Sequence, residues 1–268
     1  MNKKIIIYVG GFILPDGNAA AQRVLSNAKA FRFFGYQVVF IGIGKNIKKD
    51  KRIFDTYFKT DFFDCYKVPY PTNKYQWLLY FSSIKPIKQV IKKYGKKNIY
   101  AIVAYNYPSI ALYKLHKYLN NLNTKLIADC TEWYGSSKSI FPLNIIKWMD
   151  TTYRMKYCHK KIGNVICISN YLEKYYSNMG CNTVNIPPLV DKNESKWNIG
   201  SEYCSNIKRT FVYAGSPGIK AQKDRIDLII DAFYELKISK YSYKLYIIGI
   251  NKEIFLRQLP EYDEKLKI

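Results

Sequence analysis

The segment KKIIIYVGG, at residues 3–11, is a run of β-branched residues that closes on paired glycines. Apolar on both alternating sets of positions, it reads as a strand buried on both faces, the first strand of a parallel sheet. The loop FILPDGN follows, and Asn18 can cap a helix over AAAQRVLSNAKAFRFFG. Ala21, Val24, Leu25, Ala28 and Phe31 share one face of that helix, and Gly35 closes it. YQVVFIGIG is then a second strand. Strand, glycine turn, helix and strand make a βαβ unit, whose crossover is right-handed almost without exception.

The alternation continues. Residues 45–64 have no clean period and read as a loop, and CYKVP is a short strand stopped by Pro69 and Pro71. A helix over residues 83–94 precedes the strand NIYAIVAYN, and Pro108 opens the helix PSIALYKLHKYLN at a position where its missing N–H does no harm. TKLIADCTEWYG is a strand, residues 143–157 a helix, GNVICIS a strand, and NYLEKYYSNMG a helix stopped by Gly180. NTVNIPPLVD ends the series, and a polar stretch follows it. FVYAGSPGIKAQKDRIDLIIDAFYEL and YKLYIIG then form a new strand–turn–helix–strand unit. The expected fold class is α/β, a doubly wound parallel sheet with an incomplete second Rossmann-like domain. Its parts are residues 1–190, a linker at 191–207 and a partial domain at 208–268.

Composition narrows the partners. The 268 residues are 48% apolar and 16% aromatic, those of a globular chain, and 43 Lys plus Arg against 20 Asp plus Glu give a formal +23. That field attracts nucleic acid, anionic lipid or phosphorylated ligands, and part of it reflects a general abundance of lysine on solvated faces. The six cysteines show no CxxC pair and no zinc spacing with the two histidines, which fits small buried hydrophobes in a reducing, cytosolic compartment. No apolar run approaches a membrane span. The basic, aromatic segment KSIFPLNIIKWMDTTYRMKYCHKK at 138–161 reads either as a core helix with a basic outer face or as a contact for anionic lipid.

Ligands of such sheets bind beyond the carboxyl ends of the strands. That rule selects Gly10–Asn18, Tyr105–Pro108, Asp129–Gly135, Ile168–Asn170, Gly215–Lys223 and Gly249–Asn251. Two such sets facing each other across a linker would form an interdomain cleft. Gly10 and Gly11 either make a plain turn or let backbone amides approach a diphosphate at the N-terminus of the next helix. Neither a G-x-G-x-x-G nor a P-loop pattern is present. Asp129 and Glu132 are the catalytic candidates: one could orient a sugar hydroxyl and the other accept its proton, unless they only cap or hold a loop. Their spacing is not the DxD of a metal-held nucleotide, nor is that of Asp61 and Asp64. Asn18 and Asn106, at two of the strand ends, are the acceptor-binding candidates. Lys220, Lys223 and Arg225 at the second helix entry suit a diphosphate, with a solvated basic loop as the alternative.

Three pieces in order, YVGG with its loop and helix, VICISNYLEKYYSNMG with NIPPLVD, and YAGSPGIKAQKDRIDLIIDAF, resemble the GT-B retaining glycosyltransferases close to family 4. The resemblance spans essentially the whole chain. It implies transfer of a sugar from a nucleotide-sugar donor to a lipid-linked or saccharide acceptor in cell-surface polysaccharide synthesis, with no metal or other cofactor. By the same resemblance Gly10, Gly11 and Lys223 would meet the donor diphosphate, with Lys220 assisting, and Asp129 and Glu132 would lie near the acceptor or transferred sugar. Ser216 stands where many members carry arginine, and Asp224 where glycine follows the lysine. The family's E-x7-E segment lies further along such proteins, so the expectation is a truncated, impaired enzyme. The alternative is a non-catalytic glycan- or membrane-binding half, with a second chain supplying the rest of the donor domain. Nucleic-acid binding rests on charge alone and is not expected. The implied location is cytoplasmic, on the inner face of the cell membrane if the basic segment binds lipid.

Overall fold

Every residue of β1 (Ile5–Gly10) is buried, and its side chains divide between two cores. Ile5, Ile7 and Val9 enter one, whereas Ile6 and Tyr8 enter the other, as the two-residue period of a strand requires. The computed structural model describes residues 4–45, 47–48, 51–133, 143–194, 209–215, 217–218, 224–237 and 243–266. Two units divide the chain, Met1–Trp197 and Asn198–Ile268.

In the first unit, β1 is joined by β2 (Gln37–Gly44), β3 (Phe58–Thr60), β4 (Phe63–Pro69), β5 (Ile99–Tyr105), β6 (Lys125–Cys130), β7 (Asn164–Cys167) and β8 (Asn182–Asn185). Their order across the sheet is β3-β4-β2-β1-β5-β6-β7-β8. All neighbours pair in parallel except β3 with β4. The architecture is mixed α/β, a large parallel sheet with helices on both faces. One face carries α1 (Ala19–Phe33), which contributes Ala21, Val24 and Ala28 to the core around Ile6 and Tyr8. The other carries α3 (Lys85–Tyr94), α4 (Ser109–Asn120), a π-helical turn (Arg154–Cys158), α6 (His159–Ile162) and α7 (Asn170–Ser177). Each fully buried Ile, Val or Leu here contributes roughly 1.5–3 kcal/mol over leaving it in water.

Three local features depart from the sequence reading. The stretch expected as loop contains a 3-10 turn (Ile53–Thr56) and the antiparallel edge strand β3. A further helix, α2 (Lys74–Ser82), lies where no period predicts one, and its residues are half-buried at most, although the Tyr80 hydroxyl is enclosed. The helix expected to stop at residue 157 runs from α5 (Leu143–Tyr153) through the π turn into α6. Asn18 caps α1 as expected: its Oδ1 accepts from the Ala21 amide at 3.0 Å. The described cysteines, Cys65, Cys130, Cys158, Cys167 and Cys181, are all buried and free.

In the second unit β9 (Arg209–Ala214) pairs in parallel with β10 (Tyr243–Ile248), and α8 (Ile226–Lys237) and α9 (Lys252–Gln258) complete its regular helices among the described residues. Ile226, Ile230, Phe255 and Tyr262 form its core. Of the expected linker, residues 195–207 lie outside the described residues.

Gly10 is a close-approach residue. A methyl group there would lie 2.6 Å from the Tyr105 carbonyl oxygen and 2.8 Å from its Cβ, across the β1–β5 pair. Backbone cannot yield as a flexible side chain does, so Gly10→Ala should lower stability by at least the ~1–3 kcal/mol typical of overpacking. Urea denaturation followed by circular dichroism would check this, with a reduced midpoint and an unchanged slope expected.

Candidate functional site

β1 is the point where the strand order reverses, running to β2 and β4 on one side and to β5, β6, β7 and β8 on the other. Crevices outside the carboxyl ends of strands form at such reversals. Two cavities open there in the first unit. One, of about 530 Å³, lies at the ends of β1, β2 and β4 under α2 and the start of α3. The other, of about 470 Å³, lies at the ends of β5, β6 and β7 against α1.

The larger cavity is floored by Gly10, Ile41 and Gly42 and walled by Tyr80 and Tyr107. Lys51, Arg52, Lys67 and Lys85 also line it, and among the described residues no carboxylate does. Burial pushes the Tyr80 hydroxyl up to about 12, so the ring presents a neutral O–H. Gly11 stands beside Tyr80: a methyl on Gly11 would be 3.5 Å from the Tyr80 hydroxyl.

The smaller cavity is lined by Gln22, Arg23, Tyr105, Thr131, Glu132 and a strap of residues 188–191. Lys29 holds that strap to α1 through Glu194 at 2.7 Å and Asp191 at 3.5 Å. Arg23 Nη1 reinforces it by donating to the Ile186 carbonyl at 2.9 Å. Thr131 Oγ1 donates to the Tyr105 hydroxyl at 3.3 Å, fixing the cavity's floor.

Asp129 and Glu132 part company here. Asp129 is fully buried and lines neither cavity. Its Oδ1 accepts from Arg23 Nη2 at 2.8 Å and Nε at 3.2 Å, and its Oδ2 accepts from the Tyr8 hydroxyl. Asn27 Nδ2 donates to that hydroxyl at 3.1 Å, completing a buried polar group between β1, β6 and α1. Burial holds the Asp129 carboxyl above its ordinary value, against the opposing pull of Arg23 and Tyr8. Its geometry is that of a residue that positions α1 and Arg23, out of reach of a ligand. Glu132 is exposed and faces the smaller cavity.

The two asparagines are likewise engaged within the fold. Besides capping α1, Asn18 Oδ1 accepts from the Ile13 amide at 3.2 Å and Nδ2 donates to the Gly11 carbonyl at 3.3 Å, which staples the loop after β1. Asn106 adopts a left-handed φ of 40°, and its Nδ2 donates to Thr131 Oγ1 at 2.6 Å. Arg154 Nη1 donates to the Asn106 carbonyl at 3.3 Å and pairs with Asp150, whose Oδ1 accepts from the Ser109 amide at 2.8 Å. Such π turns recur at functional sites, and here Arg154 is carried to the end of β5.

Sequence reasoning missed Tyr8, Arg23 and Asn27. A signal existed: Arg23 and Asn27 are four residues apart on the apolar side of α1, where polar groups need buried partners. Lys220 and Lys223 lie outside the described residues. Asp224, in the second unit, accepts from the Tyr213 hydroxyl at 2.7 Å. A methyl on Gly249 would lie 2.2 Å from the Gly215 carbonyl oxygen, which makes the ends of β9 and β10 a close backbone contact. Glu253 and Glu261 have the bare E-x7-E spacing, but Pro260 separates α9 from the 3-10 turn that carries Glu261.

No protein-family model matches the chain, and no curated protein matches its sequence significantly. Solved structures do match its fold. The sucrose-phosphate synthase of Thermosynechococcus elongatus superposes with a TM-score of 0.65 at 12% identity, over 98% of this chain and 68% of that one. A glycosyltransferase from Rickettsia africae gives 0.60 at 17% identity, over 100% and 66%. The catalytic domain of Arabidopsis thaliana starch synthase IV, bound to ADP and acarbose, gives 0.58 at 10%, over 100% and 72%. The fold is GT-B. The GT-B chain described here spans about two thirds of the length of the first two structures. Among its described residues no group of three His, Cys, Asp or Glu could hold a metal ion, and no helix is long and apolar enough to cross a membrane.

Proposed function

We propose that the chain is a retaining glycosyltransferase close to family 4, which moves a sugar from a nucleotide-sugar donor to a lipid-linked acceptor in cell-surface polysaccharide synthesis. The observation that carries this reading is the pair of cavities at the strand-order reversal, one cationic and aromatic, the other holding an exposed carboxylate. The larger suits an acceptor that joins a phosphate to an apolar or sugar moiety, because Lys51, Lys67 and Lys85 meet aromatic walls there, together with Arg52, which pairs with Asp55 at 3.7 Å. That composition favours a phosphorylated lipid carrier over a neutral saccharide. A nucleotide donor is supported by the fold and by the ADP held in the starch synthase structure. We assign its diphosphate to Gly10 and Gly11 and to Lys220 and Lys223, as the resemblance implies.

Within this reading Glu132, which lines the smaller cavity, meets the transferred sugar or the acceptor hydroxyl where it reaches into that cavity, Asp129 acts only through Arg23, and Asn18 and Asn106 shape the strand-end loops. The test is an assay of the purified chain with a panel of nucleotide sugars and a polyprenyl phosphate or oligosaccharide acceptor. Nucleotide diphosphate release coupled to an acceptor product of increased mass supports the proposal. Binding of no nucleotide sugar, together with no product across the panel, overturns it. Glu132→Gln should reduce turnover about 10²-fold while leaving the donor KM nearly unchanged, as loss of a proton-handling group does. Initial-rate measurements at varied donor concentration would separate the two constants.

A further inference from the structure

The sheet face that carries α3 and α4 also presents an apolar, cationic surface that runs beyond the larger cavity. α4 packs against both α2 and α5, so the three helices lie side by side. Lys114 Nζ donates to the Ser82 carbonyl at 3.1 Å, and the Tyr113 ring meets Tyr153 and Tyr157. Their outer sides expose Tyr75 and Leu78 from α2, Ile110 from α4, and Ile145, Trp148 and Met149 from α5. Leu78 is 62% exposed, and Trp148 and Met149 are each 57% exposed. Residues 145–149 are exposed without interruption, so this turn of α5 has no buried side. Apolar surface gathered in this way marks an interaction site, whereas scattered exposed residues do not.

Charge identifies the partner. No Asp or Glu occurs between Asp64 and Asp129, a stretch that holds eleven lysines. On α2, α4 and α5 the only carboxylate is Asp150, which is turned onto the Ser109 amide and Arg154. Lys74, Lys114, Lys117 and Lys147 lie on the same three helices as the apolar residues, and Lys156 follows in the π turn. Lysines that reach anionic headgroups, Trp and Tyr at the interface, and Leu, Ile and Met at the acyl boundary match the layers of a bilayer. Nucleic acid would gain nothing from Leu78, Ile145 or Met149, whereas lipid uses both components.

We propose that the outer face of α2, α4 and α5 docks on an anionic lipid bilayer. Tyr75 and Leu79 of α2 also line the larger cavity, so docking places its wall at the lipid surface. The inference does not depend on the proposed transferase activity, since binding to lipid can be measured without turnover.

The test is co-sedimentation of the full chain with vesicles of phosphatidylcholine, alone or mixed with phosphatidylglycerol. The chain should pellet with the mixed vesicles, weakly or not at all with the neutral ones, and less as salt is raised. Trp148→Glu with Met149→Glu should lower partitioning at least about tenfold, since both side chains must leave the acyl boundary. Lys74→Glu with Lys156→Glu should lower it about fivefold or more for each lysine, and serves as the second variant if the first is unstable. Phe33 and Phe34 are exposed by 86% and 73% at the end of α1, which lies on the opposite face of the sheet. Phe33→Glu with Phe34→Glu should leave partitioning unchanged. The proposal is overturned if the chain ignores phosphatidylglycerol, or if the α1 variant loses as much as the α5 variant. It is also overturned if an oligonucleotide binds as tightly and with the same sensitivity to the α5 variant.

Discussion

Asp129→Ala should destabilise the first unit by about 3–5 kcal/mol, the loss expected when one partner of a buried ion pair is removed. Arg23 is left with a buried guanidinium whose Nε and Nη2 have lost their acceptor, and the Tyr8 hydroxyl loses its own. Neither group can turn to water, because Tyr8 is fully buried and the Arg23 side chain is only 6% exposed. Asp129→Asn should cost less, since an amide oxygen still accepts one hydrogen bond although the charge is gone. Replacing both charges, with Arg23→Met and Asp129→Leu, should cost less than Asp129→Ala alone, because no uncompensated charge remains. Urea unfolding of the four proteins at neutral pH would give this order. If Asp129 acted chiefly as an accessible catalyst, the alanine variant would instead retain stability and lose only turnover. The order also reports on the smaller cavity, since Arg23 both lines it and ties down the strap beyond β8.

What the sequence reveals of this molecule follows from the range of the forces involved. β1 and α1 were legible because their determinants are local: consecutive apolar positions, an asparagine cap and a terminal glycine. Cys65, Cys130 and Cys167 were legible for the same reason, lying in apolar strand-like runs, and burial now pushes the Cys65 and Cys167 thiols up to about 12. α2 was illegible because KYQWLLYFS carries apolar residues on its exposed side (Tyr75, Leu78, Leu79) as well as on its half-buried one (Trp77, Tyr80, Phe81) and so shows no helical period. The π turn left no local signature either, as its arginine is held by Asp150 and by Asn106, 48 residues earlier. Asp129 and Glu132 look equivalent in sequence, three residues apart at one strand end. The fold separates them. Asp129 points under the sheet to Arg23, 106 residues earlier, while Glu132 has passed the sheet's edge and meets solvent.

A second large effect should appear with pH, through His159. Its side chain is buried in the core around Tyr176, with Nδ1 2.8 Å from the Tyr176 hydroxyl. Burial, assisted by the positive charge of Arg154, lowers its pKa from 6.5 to about 3. Cys130 and Met155 complete its polar surroundings through the same tyrosine, and Cys181 Sγ lies 4.0 Å from its carbonyl. None of these groups supplies a carboxylate to hold a proton on the ring. The imidazole therefore stays neutral in the folded chain while the unfolded chain takes up a proton as pH falls below about 6.5. Between that value and about 3 the unfolded state binds more protons, so stability is complete above 6.5 and declines as pH falls. The slope from this one group approaches about 1.4 kcal/mol per pH unit, and the total over the roughly 3.5 pH units between 6.5 and about 3 is on the order of 5 kcal/mol. Carboxylates also titrate in this window, so the quantity to measure is the difference between the native protein and His159→Asn. The asparagine variant keeps a polar atom near the Nδ1 position but cannot titrate. It should be less stable at pH 8, where the packing of the ring is lost, and should close that gap steadily as pH falls toward 4. Urea denaturation at half-unit pH steps would show the convergence, whereas parallel curves would mean that His159 titrates alike in the folded and unfolded states.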